Sequence, residues 1–400
     1  MATHVKSPRV ADFSTHLSGP IASRQMVQLG ADVIKIENAR VGDGNRDFPP
    51  YFHEEGIHHL ALNPGTRSLA LDVKSPKWPQ VIKAIAQWAD VVIVGNRPAN
   101  AQRLGIDFVS MTRHNPELIY CLITGYGVDG ELAAHPAHGL NMDAFAGTVP
   151  IEQNGNRPDV PEHYRTAGTT LAGIEAAMGI YAALHRRSQG GGGQVIHVSI
   201  WESALSWMWR DLATHANLDR QWTPYRELGS RYCVYGTQDG KALLICPSEK
   251  HFWSRFCDVL DLPADMRNRG DWSSGSDMGE NYVALGEREI IQSKIGAKNR
   301  DEWLAILAKA DLPFAPILDW REAMDTPHAK ANGVMTEYQY RGRTVKVPVA
   351  PVSITPAAQL ADSGYEGLGN AHREKIQNVR PPPMLGEHNA EILRELGVSD

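Results

Sequence analysis

Along the first two hundred residues, short apolar runs alternate with longer segments in which apolar positions recur every three or four residues. The runs RVADF (9–13), ADVIKIE (31–37), SLALDV (68–73), DVVIVG (90–95) and LIYCLITGYG (118–127) predict strands. Between them, GPIASRQMVQLG (19–30) predicts a helix, with Pro20 near its first turn and Gly30 as its stop, and VIKAIAQWA (81–89) predicts another. This rhythm implies a parallel sheet connected by crossover helices.

A long buried helix is predicted from Thr169 or Thr170 to about Arg187, with Leu171, Ile174, Met178 and Ala182 on one stripe. Four glycines at 190–193 make a tight helix-to-strand connection, followed by the strand QVIHVSI (194–200) and the Trp-rich helix WESALSWMWRDLATH. Texture changes near residue 222. Residues 225–249 alternate like antiparallel strands around an Asp239-Gly240 turn, and HFWSRFCDVL opens a helical section. Residues 271–282 read as a surface loop, short strand signals return at 334–355, and 381–397 form a linker and a terminal amphipathic helix.

Composition narrows the class. At 400 residues, 42% hydrophobic and 22% charged, the chain is globular and long enough for two domains. A net charge of −6 argues against a general affinity for nucleic acid or an anionic membrane. The start MATHVKSPRVADF has no apolar leader core, and no run approaches eighteen uncharged apolar residues, so a cytoplasmic location is expected. Cys121, Cys233, Cys246 and Cys257 lie far apart without a C-x-x-C pair, the pattern of buried reduced thiols.

Several chemistries lose support. STHLSGP follows the first strand in place of G-x-G-x-x-G, so NAD is not expected, although Glu37 sits where a ribose-binding acid would. FHEEGIHHL groups His53, Glu54, Glu55, His58 and His59, but not as H-E-x-x-H, and Gly56 interrupts them; a solvated loop is expected, and no metal. No G-x-S-x-G elbow occurs. What stands out instead is a set of basic or amide residues after the predicted strands: Arg40, Arg46, Lys74, Asn96, Arg97 and Arg103. Ligands of open α/β sheets sit beyond the carboxyl ends of the strands, so these residues are either surface charges or a joint receptor for a phosphorylated molecule.

LGADVIKIE followed by GD, RSLALDVKSP, ADVVIVGNRPANAQRLG, NPELIYCLITGYG, GIYAALHRR with GGGGQVIHVSIWESAL, and PMLGEHNAEILRELG together resemble the class III CoA-transferases, the CaiB/BaiF family, which includes the α-methylacyl-CoA racemases. The resemblance runs in order through essentially the whole chain. It implies an α/β fold: a Rossmann-like large domain with a parallel sheet (1–222 and 330–400), a smaller α+β domain (223–329), and an interlocked homodimer. It implies coenzyme A or acyl-CoA as substrate together with a small carboxylic acid, and neither NAD nor metal. The family's CoA-contacting positions fall on Leu71, Lys74, Asn96 and Arg103, with Arg97 beside them; Arg40 stands in for a basic residue the family carries at Asn38. Lysine and arginine suit phosphate oxygens, and Leu71 suits adenine. His16 and Leu17 fall where the family meets the acyl group, Leu17 replacing a polar residue of some transferases.

One departure bears on mechanism. The family's catalytic Asp lies ten residues before the Gly of the GI-x-AAL helix, and counting back from Gly179 lands on Thr169. That carboxylate forms an acyl anhydride reactive enough for CoA thiolate to reverse the step; a threonine ester lacks this reactivity. His138, in AHGLNMDAFAG, matches a racemase acid/base histidine, Asn141 matches as well, and Gly139 sits where many transferases carry an acid. Asp143 is the nearest carboxylate alternative; Glu152, Asp159 and Glu162 lie on the preceding loop. Three functions stay open: CoA transfer by substrate-assisted chemistry or a different acid; racemase-like α-carbon chemistry through His138; and a non-catalytic CoA-binding subunit pairing with an Asp-bearing homologue.

Overall fold

A computed structural model describes residues 7–218, 229–361 and 379–398. They divide into two compact units, one comprising the described residues up to Trp209 and from His328 onward, the other Arg210–Pro327. The texture change near residue 222 lies outside the described residues, and the observed division falls earlier, after Trp209.

The first unit is built on six parallel strands: β1 (Arg9–Asp12), β2 (Asp32–Asn38), β3 (Arg67–Leu71), β4 (Val91–Val94), β5 (Ile119–Thr124) and β6 (Gln194–Ser199). Their spatial order is β3-β2-β1-β4-β5-β6. The central strand β4, Val-Val-Ile-Val, is a continuous apolar run because helices cover both faces, and all four of its residues are buried. On one face pack Val81, Ile82 and Ile85 of α2 (Trp78–Trp88), with Ile392 of the terminal helix Asn389–Glu395. The other face holds Ala22 and Met26 of α1 (Ser18–Gln28) and Ala176, Ala177 and Ile180 of α5 (Gly168–Ser188). Between these come α3 (Pro98–Leu104) and α4 (Gly139–Phe145), and α6 (Ile200–Trp207) follows β6. Gly30 stops the chain after α1 at φ +96°, a left-handed conformation that costs glycine little.

The face that α5 buries differs from the apolar stripe expected of it. Ala172, Gly173, Ala176, Ala177, Ile180 and Ala183 face the core, whereas Ile174 and Met178 are 45% and 67% exposed. The cause is close approach to α1: a Cβ on Gly173 would lie 2.6 Å from the Ser18 carbonyl oxygen and 2.7 Å from the Ile21 side chain. Only small residues permit this contact, so side-chain size rather than hydropathy selects the buried face. The Trp-rich segment is likewise two helices, α6 and Trp209–Leu218, separated at Met208.

The second unit carries a three-stranded antiparallel sheet, β7 (Cys233–Gly236), β8 (Ala242–Ile245) and β9 (Phe314–Pro316), with the expected turn at Asp239-Gly240. Helices α7 (Lys250–Leu260), α8 (Glu287–Ile295) and α9 (Arg300–Lys309) enclose a core around Trp253, Phe256, Ile291 and Trp303. Arg231 is fully buried there, its guanidinium 4.0 Å from the Trp253 ring centre and 3.1 Å from Glu287. All four cysteines are free, Cys121, Cys233 and Cys257 being buried. No helix among the described residues is long and apolar enough to cross a membrane.

Candidate active site

The strand order sends the chain outward from β1 through β2 to β3, then back to β4 on the other side of β1. At such a switch the loops after β1 and β4 diverge and leave a crevice at the carboxyl edge. A cavity of about 340 Å³ lies there, lined by Ser14–Gly19 after β1, Gly95–Pro98 after β4, and the segments following β5 and β6. It brings together His16, Leu17, Asn96, Arg97, His138 and Thr169. Leu71, Lys74, Arg40 and Arg103 do not line it. Leu71 ends β3, Lys74 and Arg40 are exposed on the turns after β3 and β2, and Arg103 is exposed on the last turn of α3.

A buried ionic network shapes the first loop. Lys35, in the middle of β2, places its ammonium 3.2 Å from Asp12, 2.9 Å from Asp43 and 2.5 Å from the Ser14 carbonyl. All three side chains are 2% exposed or less. Burial alone would lower the lysine's pKa, but Asp12 and Asp43 outweigh it and hold Lys35 charged, above its ordinary range. Asp43 is also buried, yet Lys35 and the backbone N–H groups of Asn45 and His16 keep its carboxyl below the usual value. Asp12 in turn accepts from the Ser14 N–H at 2.8 Å and from the Ser23 hydroxyl at 2.8 Å. Asp43 accepts the His16 N–H at 3.0 Å, and the Asn45 side-chain amide donates to the His16 carbonyl. Held from both sides, His16 sits at φ +66°, a left-handed conformation uncommon for any residue but glycine.

Thr169, 4% exposed, belongs to the first turn of α5, and its hydroxyl lies 3.2 Å from that of Thr166. A Cβ on Gly139 would meet the Thr169 methyl at 3.1 Å, so the two positions face each other at the cavity wall. Asp143 is fully buried and does not line the cavity. Its carboxylate accepts the N–H groups of Ala167 at 2.8 Å and Gly168 at 3.0 Å, and the Tyr164 hydroxyl at 2.7 Å. It is therefore occupied in anchoring the start of α5 instead of standing free to react. Glu152 and Glu162 are exposed and Asp159 is half-buried. Among the described residues no aspartate or glutamate lines the cavity, while His16, Arg97, His135 and His138 do.

The segment expected as a solvated loop is instead partly buried. Glu55 and His59 are 7% and 1% exposed, and Arg46 lies 3.4 Å from Glu55 and 2.8 Å from Glu37. Arg46 and Glu37 thus satisfy each other, with Ser68 donating to Glu37 at 2.6 Å, and neither is free for a nucleotide. Burial, aided by Arg46, lowers the His59 pKa to about 3. Among the described residues no cluster of histidine, cysteine and acidic side chains could hold a metal ion. Sequence reasoning passed over Asp12, Lys35, Asp43 and His135. One signal was present: Lys35 interrupts Val33, Ile34 and Ile36 in a strand whose neighbours are apolar.

A model of CoA-transferase family III matches residues 6–389. The chain is 26% identical to the human succinyl-CoA:glutarate CoA-transferase, across 97% of this chain and 85% of that protein. It is 28% identical to the acetyl-CoA:oxalate CoA-transferase of Acetobacter aceti, across 98% and 95%. Among solved structures, a Mycobacterium tuberculosis protein superposes with a TM-score of 0.76 at 25% identity over 98% of this chain and 99% of that one. A CaiB/BaiF family protein from Brucella suis has the same fold, with a TM-score of 0.75 at 21% identity over 98% and 99%.

Proposed function

The chain belongs to CoA-transferase family III, and on that premise we propose that it moves CoA from an acyl-CoA to a carboxylic acid without an acyl-enzyme intermediate. The observation that carries this is a cavity at the switch point, lined by Thr169 and, among the described residues, by no carboxylate; Thr169 is read as the position of the family's Asp. Leu71, Lys74, Asn96 and Arg97, at or just after the carboxyl ends of β3 and β4, are assigned to CoA together with Arg103 on the last turn of α3, and Arg40 completes the basic rim. His16, Leu17 and His138 face the acyl group.

Without a protein nucleophile, the acceptor carboxylate itself attacks the thioester carbonyl. The carbon–sulfur bond breaks, CoA thiolate leaves, and a mixed anhydride of the two acids forms. The thiolate then attacks the acceptor's carbonyl, releasing the donor as its carboxylate; no proton or electron is gained or lost. The imidazoles and Arg97 offer donors to the two oxyanions that develop, and the buried start of α5 adds a positive helix end. Thr169 supplies a hydroxyl at the cavity wall.

A second reading is favoured by the same missing carboxylate: a CoA-binding subunit that acts beside an Asp-bearing homologue. One relative, at 25% identity, is named as the beta subunit of a succinyl-CoA–L-malate CoA-transferase of Chloroflexus aurantiacus. Whether as a homodimer or paired with a homologue, the exposed Ile174 and Met178 on α5 are the surface such a partner would cover. The test is calorimetric binding of CoA to the full chain, then mass spectrometry of the acyl-CoA pool with several donors and acids. Binding lost in the Lys74→Ala/Arg103→Ala double variant while folding persists supports the assignment, and unchanged binding refutes it. New thioesters from the chain alone support transfer; their appearance only after a homologue is added supports the subunit reading.

A further inference from the structure

We infer that Arg97 is a positioning residue that latches the loop carrying His135 and His138 over the cavity. That loop, residues 125–138, joins β5 to α4 with no helix or strand of its own. Its two ends are fixed: the Gly125 carbonyl accepts the Trp201 N–H at 2.9 Å, Gly127 donates to the Thr124 hydroxyl at 3.1 Å, and the His138 N–H reaches Asn141 at 2.9 Å. Between 128 and 137 the loop makes two hydrogen bonds within itself, Ala133 to Gly130 at 3.3 Å and His135 to Leu132 at 2.9 Å. Only one hydrogen bond among the described residues ties that stretch to the rest of the protein, from the Arg97 guanidinium to the Ala134 carbonyl at 3.0 Å. A long loop so sparsely held opens easily unless that tie is kept.

Arg97 is suited to the part. It is the residue before the first turn of α3, where its carbonyl accepts from Asn100 at 2.9 Å and from Ala101 at 3.1 Å and Pro98 follows it, so its backbone is fixed. It lines the cavity and makes no ion pair among the described residues. A guanidinium has five N–H donors, and the Ala134 carbonyl occupies one, leaving others to meet an anion entering the cavity. Anion and loop are then held by one group, so binding of the anion tightens the loop and closure of the loop strengthens the binding. This coupling rests on the reading of the cavity as the acyl-CoA site; the latch itself does not.

The experiment is hydrogen exchange of the full-length chain followed by mass spectrometry, read on peptides containing Ala133 and His135. Without ligand, Arg97→Ala should speed exchange there about fivefold, the effect of losing one hydrogen bond, while peptides from β4 and α5 are unchanged and Arg97→Lys partly restores protection. Unchanged exchange in Arg97→Ala overturns the latch. With CoA, the loop of the unsubstituted chain should exchange more slowly, and that slowing should vanish in Arg97→Ala. A loop that exchanges equally or faster with bound CoA refutes the coupling. If calorimetry finds no CoA binding at all, the acyl-CoA reading fails instead, and the ligand-free comparison still decides the latch.

Discussion

Replacing Thr169 with aspartate puts a carboxylate on a cavity wall that has none among the described residues, at the position proposed for the family's nucleophile, and the outcome can be sized from its surroundings. The side chain is 4% exposed in the first turn of α5, and its methyl group faces Gly139, which has no side chain to clash with a second oxygen. Threonine branches at Cβ and aspartate one bond further out, at Cγ, so the carboxylate extends toward the space that Gly139 leaves open and the steric cost is small. The electrostatic cost is larger, because Asp143 already holds the N–H of the preceding residue, Gly168. Two carboxylates roughly 6 Å apart at an effective dielectric of about 20 repel by about 3 kcal/mol. The helix end returns about 1 kcal/mol, leaving the variant roughly 2 kcal/mol less stable. The mechanistic gain is an attacking group held in place, expected to raise transfer by about a hundredfold or more. Intact-mass analysis after incubation with acyl-CoA should show one acyl group on Thr169→Asp and none on the unsubstituted chain. A folded, CoA-binding Thr169→Asp that gains neither the adduct nor rate would refute the placement of Thr169 at the acyl carbon.

The other expectations concern the scaffold around this wall. Asp143→Ala leaves the Ala167 and Gly168 amides and the Tyr164 hydroxyl without their acceptor, and thermal or denaturant unfolding should show a loss of about 2–4 kcal/mol; an inactive variant of unchanged stability would instead mark Asp143 as the reacting group. Lys35→Met removes the only cation between Asp12 and Asp43 among the described residues and should cost about 3–5 kcal/mol in the same assay; a loss below about 1 kcal/mol would show that the network contributes no more than a surface pair. His59 supplies a pH test. Its folded pKa, about 3, lies below the ordinary 6.5, so the unfolded chain binds the extra proton, and stability is full above pH 6.5 and falls as pH drops toward 3. Between pH 6.5 and about 4.5, above the range where the lowered carboxyls of Glu37 and Asp43 contribute, His59 should account for about a tenfold rise in the unfolding equilibrium per pH unit. That slope should be absent in His59→Gln; a slope unchanged by the substitution contradicts the assignment.

Local signals carried the α/β rhythm. The strands of the large sheet follow from short, mainly apolar runs, unbroken in β4 and interrupted by Lys35 in β2, and α1 and α2 show helical spacing, with Gly30 as the stop of α1. What the pattern could not show was set by pairs distant in sequence. The buried face of α5 depends on how closely α1 approaches Gly173, and hydropathy alone favoured Ile174 and Met178. Glu55 and His59 look like loop residues until Arg46 and the Pro383 carbonyl, 3.3 Å from His59, are brought to them. At the cavity, His16, Leu17, Asn96 and Arg97 follow β1 and β4, where an open sheet gathers its loops, whereas Leu71, Lys74, Arg40 and Arg103 do not line it. The role of Asp143 was not legible, since an acid near a helix start reads alike as a cap or a catalyst until its partners are placed. Loop 125–138 has no period to follow, and the tie from Arg97 to Ala134 is a side-chain-to-backbone contact without a sequence signature.

The most direct test of transfer without a protein carboxylate is to follow oxygen. With enzyme in excess over an acyl-CoA, an acceptor acid carrying ¹⁸O in both carboxylate positions is added, and the released donor acid is weighed after a single turnover. Direct attack by the acceptor passes one of its oxygens to the donor through the mixed anhydride, so the donor acid should emerge two mass units heavier. A donor acid of ordinary mass, with the label found in the protein, would contradict the proposal and point to an enzymic carboxylate. Absence of any turnover from the purified chain across donors and acceptors would contradict it as well.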